Sequence, residues 1–151
     1  TSSQKNNLTI EYESNDKSMN WILKKYSLNM KLKKFNGISI PVFKNLYKNM
    51  QDDCRIIVFK VKENGISVSG SSFALHGNSA TYLLGWTGNR GRDLKANHFQ
   101  LWNVINILKK MNIKWLDLGG IDKADSKGIS EFKLGMRGEN YNLVGEGWKW
   151  N

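Results

Sequence analysis

Two stretches of this 151-residue sequence place glycines beside charged side chains, the raw material of an anion or acyl site. The first is Gly85-Trp86-Thr87-Gly88-Asn89-Arg90-Gly91-Arg92, which precedes an apolar run of helical spacing. Free backbone N–H groups at a helix start attract phosphate, and arginines add charge. Gly88, Arg90, Gly91 and Arg92 therefore read as a donor- or phosphate-binding segment. The spacing is neither a P-loop nor a dinucleotide fingerprint, and a polar connection would account for the same residues. The second stretch runs from Asp117-Leu118-Gly119-Gly120 through Gly128-Ile129-Ser130-Glu131-Phe132-Lys133 to Arg137-Gly138. Paired glycines at a strand end allow close backbone approach to a ligand. A strand end beside a crossover helix is also a usual ligand position. Asp122 and Asp125 lack the later ligands that a calcium loop needs. Lys133, taken alone, is equally a surface lysine.

The elements that must position these residues follow from hydrophobic period. The pattern over residues 17–34 predicts a helix that sets Trp21, Leu28 and Leu32, with Ile22 and Tyr26, at helical spacing, ended by Asn36-Gly37. A second, short helix starts at Pro41 and carries Phe43, Leu46, Tyr47 and Met50 inward. Arg55 to Lys62 reads as a buried strand, and Glu63-Asn64-Gly65 as a tight hairpin turn. Strands over 66–75 and 80–86 complete a three-stranded antiparallel meander. A loop at 87–92 leads to a helix over 95–111 with Trp102, Ile105, Leu108 and Met111 on one face. A strand at 113–118 follows. Strand, long helix, strand is a crossover, which implies parallel pairing. A short helix near 128–134 and a last strand over 141–150 close the chain. The expectation is an α+β domain with a mixed, mostly antiparallel sheet and helices on both faces.

Hydrophobic residues make up 40% and aromatics 11%, enough for a packed core in a single domain spanning 1–151. Residues 1–14 read as polar and loose. The lone Cys54 excludes an intrachain disulfide framework, and beside an apolar run it reads as core. With only His76 and His98 to join it, no metal site is expected. The net charge of +10 fits either a solvated lysine-rich surface or attraction to a polyanion: nucleic acid, a nucleotide cofactor or an anionic membrane face. No run approaches the roughly 18 apolar residues of a membrane span, and no signal peptide is visible. A cytoplasmic chain, or one peripheral to the inner membrane face, is expected. Thr1 in place of a methionine fits a fragment or a processed chain.

The order of these pieces resembles a known family. Ala80-Thr81-Tyr82-Leu83-Leu84-Gly85, the Leu101-Trp102 pair, Trp115-Leu116-Asp117-Leu118-Gly119-Gly120, Gly128-Ile129, Phe132-Lys133 and Arg137-Gly138 together resemble the Fem-type (FemAB-like) aminoacyl transferases. The lysine-rich helix ending in Asn36-Gly37-Ile38 is similar to the helix that opens the second GNAT-like half of those enzymes. The resemblance implies a GNAT-like acyltransferase fold and transfer of an activated acyl group to an amine, typically on a peptidoglycan precursor. It implies an aminoacyl-tRNA or acyl-CoA donor, no tightly bound cofactor, and a second GNAT-like half as partner. Phe132 and Lys133 become the catalytic pair, with Lys133 on the reacting carbonyl or its developing oxyanion. Tyr82, Asp117, Gly119 and Gly120 would line the channel. CoA-dependent members show a tighter Gly-x-Gly loop than Gly88-Asn89-Arg90-Gly91, which favours the aminoacyl donor. The alternatives are an acetyl-CoA-dependent N-acetyltransferase acting on a small amine or sugar amine, and a non-catalytic GNAT-like binding module.

Overall fold

The computed structural model describes residues 7–34, 37–51, 53–120, 131 and 133–141. The chain divides into two compact units, Thr1–Gly119 and Gly120–Asn151.

In the first unit a five-stranded sheet has the order β1-β2-β3-β4-β5. Its strands are β1 (Leu8–Glu13), β2 (Cys54–Glu63), β3 (Ile66–His76), β4 (Ser79–Thr87) and β5 (Trp115–Asp117). The first four pair antiparallel, and β5 joins β4 in parallel. The β2–β3 turn uses Asn64 and Gly65, both at positive φ, as the tight hairpin requires. Strand β1 lies where the sequence reads as loose. Its alternation explains the difference: Leu8 and Ile10 pack with Val61, Val68 and Ala96. On the polar side Glu11 and Glu13 meet Lys62 and Lys60 at 2.7 and 3.1 Å. The pattern is short, and its charges make sense only against the neighbouring strand.

Helices α1 (Asp16–Lys33) and α2 (Ile40–Lys48) cover one face of the sheet. Asn15 caps α1 in a reciprocal box with Ser18, and Ser39 caps α2. Met19, Ile22, Leu23 and Tyr26 of α1 and Phe43 of α2 pack on Ile56, Val58, Ala74 and Leu84. At 3.6 residues per turn those four α1 positions form one stripe, which leaves Leu28 and Leu32 on the opposite side. Both are exposed, and so is Leu46 of α2, contrary to its expected inward placement.

The other face carries α4 (Ala96–Lys110), reached through a short helix, α3 (Asn89–Asp93), where a loop is expected. Leu101, Val104 and Leu108 are buried, while Trp102, expected on the inner face, is exposed. A polar residue takes an inner position instead. Gln100 donates to the Phe59 carbonyl at 3.2 Å and accepts from Ser69 Oγ at 2.9 Å, tying α4 to β2 and β3. Strand β5 is shorter than the sequence suggests, and Cys54 opens β2 half-buried rather than as core. In the second unit residues 131 and 133–135 are helical. The rest of the expected helix near 128–134 and nearly all of the expected strand over 141–150 lie outside the described residues. No helix among the described residues is long and apolar enough to cross a membrane.

Candidate active site

Strands β4 and β5 pair over three positions only, Ser79–Trp115, Ala80–Leu116 and Thr81–Asp117. Beyond Thr81, β4 runs on to Thr87 with no partner on that side among the described residues. The parting coincides with an irregularity. Ser72 pairs Leu84 and Phe73 pairs Tyr82, so Leu83 is an extra residue and β4 bends there. The free edge offers backbone donors and acceptors to an extended ligand lying alongside it.

Tyr82 stands at this parting. Its ring lies 5.4 Å from that of Phe73, nearly edge-on, and its hydroxyl reaches back over Gly85. A Cβ at Gly85 would sit 1.7 Å from that hydroxyl, so only glycine leaves room for the side chain there. Burial of the phenol pushes its pKa up to about 12, with a smaller contribution from Tyr26. The side chain as a whole is half-exposed; the hydroxyl end is the buried part. At neutral pH Tyr82 is therefore a neutral phenol, a hydrogen-bond and proton donor.

At the end of β5 the Asp117 carboxylate accepts from the Gly119 N–H at 2.7 Å, and Gly119 has φ +76°. Asp117 and Gly119 thus shape a tight turn out of the strand. In the second unit the Lys133 ammonium donates to the Gly120 carbonyl at 2.6 Å. Phe132 lies outside the described residues.

The segment Gly88–Arg92 takes a form the sequence did not indicate. It winds into α3 and is held against β3: Gly88 N–H donates to the Val68 carbonyl at 3.0 Å. Gly91 lies so close to the same carbonyl that a Cβ would stand 2.2 Å from it. Gly91 thus serves a backbone approach within the protein, and a Cβ at Gly88 would crowd the Trp86 ring at 3.1 Å. Arg90 makes a two-pronged pair with Glu63, at 2.7 and 2.5 Å. That pair holds the Glu63 carboxyl below its usual range and raises Arg90. Arg92 donates to the Thr87 carbonyl at 3.1 Å and to Asn89 Oδ1 at 2.5 Å. The structure thus brings Gly88, Arg90, Gly91 and Arg92 together, and gives both guanidinium groups partners within the chain.

A group that sequence reasoning did not single out lies near the end of β4, on the α1 face. Trp86 meets Trp21 of α1 edge-to-face at 5.8 Å. Lys25 Nζ lies 4.5 Å above the Trp86 ring, and Lys60 Nζ lies 5.2 Å from that of Trp21. Gly70 makes the arrangement possible, since a Cβ there would come within 2.5 Å of the Trp21 indole. A glycine inside the otherwise buried strand Val68-Ser69-Gly70-Ser71-Ser72-Phe73 is the one sequence signal that points here. Among the described residues no cluster of His, Cys, Asp or Glu could hold a metal ion.

The architecture is shared with known acetyltransferases. An aminoglycoside acetyltransferase from an uncultured soil metagenomic sample, in complex with trehalose, superimposes with a TM-score of 0.64 at 11% identity. The match covers 97% of this chain and 99% of that one. An acetyltransferase of the GNAT family from Staphylococcus aureus Mu50 gives 0.56 at 22% identity, over 85% and 81% of the two chains. FemX gives 0.62 at 15% identity over 88% of this chain, which spans 49% of FemX. No curated protein sequence matches. The fold is GNAT-like, and the class to which fold and family point is that of the acyltransferases. The FemAB family matches residues 6–148, nearly the whole sequence, and the chain belongs to that family.

Proposed function

We propose that this chain moves an activated acyl group onto an amine, with the acyl arm of the donor lying along β4 where β5 parts from it. The observation that carries the reading is the edge of β4 beyond Thr81, unpaired among the described residues, with the neutral Tyr82 phenol at its start. An extended acyl arm can pair with such an edge as an added strand does. When an amine attacks the acyl carbonyl, negative charge appears on oxygen and the leaving group needs a proton. A phenol that stays protonated is suited to donate a hydrogen bond to that oxygen, while the proton that the amine sheds passes to the leaving group. No nucleophilic side chain is required, because donor and amine react directly once held together. Lys133 is proposed as the cation that steadies the developing oxyanion. Its hydrogen bond to the Gly120 carbonyl uses one of the three ammonium donors and leaves two for a ligand oxygen.

Membership of the FemAB family and the likeness to FemX support aminoacyl transfer to the amine of a peptidoglycan precursor, with aminoacyl-tRNA as donor and a second GNAT-like half as partner. A second reading is N-acetylation from acetyl-CoA. It is favoured by the end-to-end match to a single-length acetyltransferase. Thermal-shift titration with acetyl-CoA, CoA, and charged or uncharged tRNA separates them. Stabilisation by aminoacyl-tRNA alone supports the first reading, and saturable stabilisation by CoA supports the second. No shift with any of them overturns the placing of the donor. In a transfer assay Lys133→Ala should lower turnover with the melting temperature unchanged; equal turnover would remove Lys133 from the reaction.

A further inference from the structure

The charge of this protein is concentrated in one part of the chain. From Lys17 to Gln51 there are eight lysines and no aspartate or glutamate, so this segment alone carries +8 of the net +10. It is the segment that forms α1 and α2. These helices lie side by side on one sheet face: Tyr47, late in α2, donates to Asp16 at the start of α1 at 2.7 Å. Tyr26, farther along α1, has a backbone hydrogen bond to Ile38, just before α2. Lys24, Lys31, Lys33, Lys34, Lys44 and Lys48 are all exposed, and among the described residues no ion pair engages them.

Each helix also exposes an aliphatic pair one turn apart. Leu28 and Leu32 are 50% and 82% exposed on α1, and Val42 and Leu46 are 58% and 42% exposed on α2. On α1 the pair lies opposite the stripe that packs on the sheet, so the sheet does not need it. Lysines and arginines with aliphatic side chains on an exposed helix are the composition of helices that lie in the plane of a membrane surface. A surface that binds single-stranded nucleic acid adds exposed aromatic stacking platforms to its positive charge. Segment 17–51 holds no arginine, and its described aromatic residues, Trp21, Tyr26, Phe43 and Tyr47, pack in or against the core.

We propose that α1 and α2 form a docking surface for an anionic phospholipid bilayer, with Leu28, Leu32, Val42 and Leu46 entering the headgroup boundary and the flanking lysines meeting lipid phosphates. This inference is independent of the acyl-transfer reading and stands or falls without it. It brings the protein to a surface on which a lipid-linked acceptor could be held, but nothing in the argument needs such an acceptor.

The test is co-sedimentation of the full chain with vesicles of phosphatidylcholine alone and of an equal mixture of phosphatidylcholine and phosphatidylglycerol. The expected result is binding to the mixed vesicles only, weakened by salt. Each lysine near a charged membrane contributes on the order of fivefold in partition, so Lys24→Gln with Lys31→Gln should weaken binding roughly tenfold or more. Leu28→Ser with Leu32→Ser should weaken it by a similar factor, because buried aliphatic area is lost. These positions are exposed, and an unchanged far-ultraviolet circular dichroism spectrum confirms that both variants fold. Absence of binding to mixed vesicles overturns the proposal. So does binding that the leucine variant leaves untouched while single-stranded RNA competes for it, which would make the surface a polyanion site. A concentration-dependent dimer broken by the leucine variant, without vesicle binding, overturns it in favour of a second copy of the chain.

Discussion

Gly91→Ala sets two physical effects against each other. Gly91 lies within α3, and alanine is favoured over glycine in a helix by about 1 kcal/mol. On propensity alone the variant is the more stable protein. The added Cβ, however, would stand 2.2 Å from the Val68 carbonyl oxygen and 3.0 Å from the Thr87 methyl. A main-chain oxygen has no rotamer into which it can escape, so α3 must lift from β3. The same carbonyl accepts the Gly88 N–H at 3.0 Å, and lifting α3 breaks that bond. Overpacking of this kind costs about 1–3 kcal/mol, and the lost hydrogen bond about 1 more. Set against the gain in propensity, the net is a destabilisation of roughly 1–3 kcal/mol. For a chain of this size each kcal/mol moves Tm by about 2–4 °C, so Tm should fall by roughly 2–12 °C. The assay is thermal unfolding of both proteins, followed by donor titration at a temperature where both are folded. An equal or higher Tm would refute the packing argument. Combined with lost donor affinity, it would mean that the missing side chain leaves room for a ligand and not for Val68.

Gln100→Leu should lower the urea midpoint, with a loss of about 1–3 kcal/mol, because the Phe59 carbonyl keeps its burial and loses its donor. A variant as stable as the parent would show that the bridge from α4 to the sheet contributes nothing. Tyr82 gives a pH prediction. Its folded pKa of about 12 lies above the ordinary tyrosine value of 10.0, so the folded protein holds that proton longer. The stabilisation is complete below pH 10 and disappears as pH rises towards 12. Tyr82→Phe should flatten the fall of stability over that interval; Tyr26 and Tyr47 are shifted the same way and leave a residual slope. Equal slopes in the two proteins would show that the Tyr82 hydroxyl is not buried.

Most of the fold could be read from period and turn chemistry. The hairpin at Asn64-Gly65, the buried strands on either side of it and the crossover into β5 all depend on local signals. Strand β1 is hard to read because two of its six residues are charged, and their pairing logic lies in Lys60 and Lys62, some fifty residues away. The inward face of α1 is hard to read for a related reason. Trp21 is large and apolar, and steps of seven and then four from it lead to Leu28 and Leu32. Trp21 does pack on the sheet, but from the edge of the helix, over Gly70. The true stripe, through Met19, Ile22, Leu23 and Tyr26, is offset from it. On α4 the inner position held by Gln100 is polar, which no hydrophobic count would select. What makes it suitable is a buried carbonyl on β2 and a buried hydroxyl on β3, and both belong to the tertiary structure.

The candidate site shows how far glycine and charge can be read without a fold. A glycine in a loop announces that something comes close, but not what. At Gly91 it is the Val68 carbonyl, at Gly85 the hydroxyl of Tyr82, and at Gly70 the indole of Trp21. Each excludes a side chain, and each does so for a neighbour within the chain. The arginines follow the same logic. Arg90 and Arg92 look like free cations in the sequence because Glu63 is far away along it, whereas in the fold a carboxylate fork and a carbonyl occupy them. Among the described residues, lysines of α1 and α2 do carry positive charge that no ion pair engages. An anionic donor approaching the β4 edge therefore meets arginines that must give up a partner to bind it. Donor affinity should depend on how readily Arg90 exchanges Glu63 for phosphate, which makes Glu63, read in the sequence only as part of a turn, as relevant to that step as either arginine.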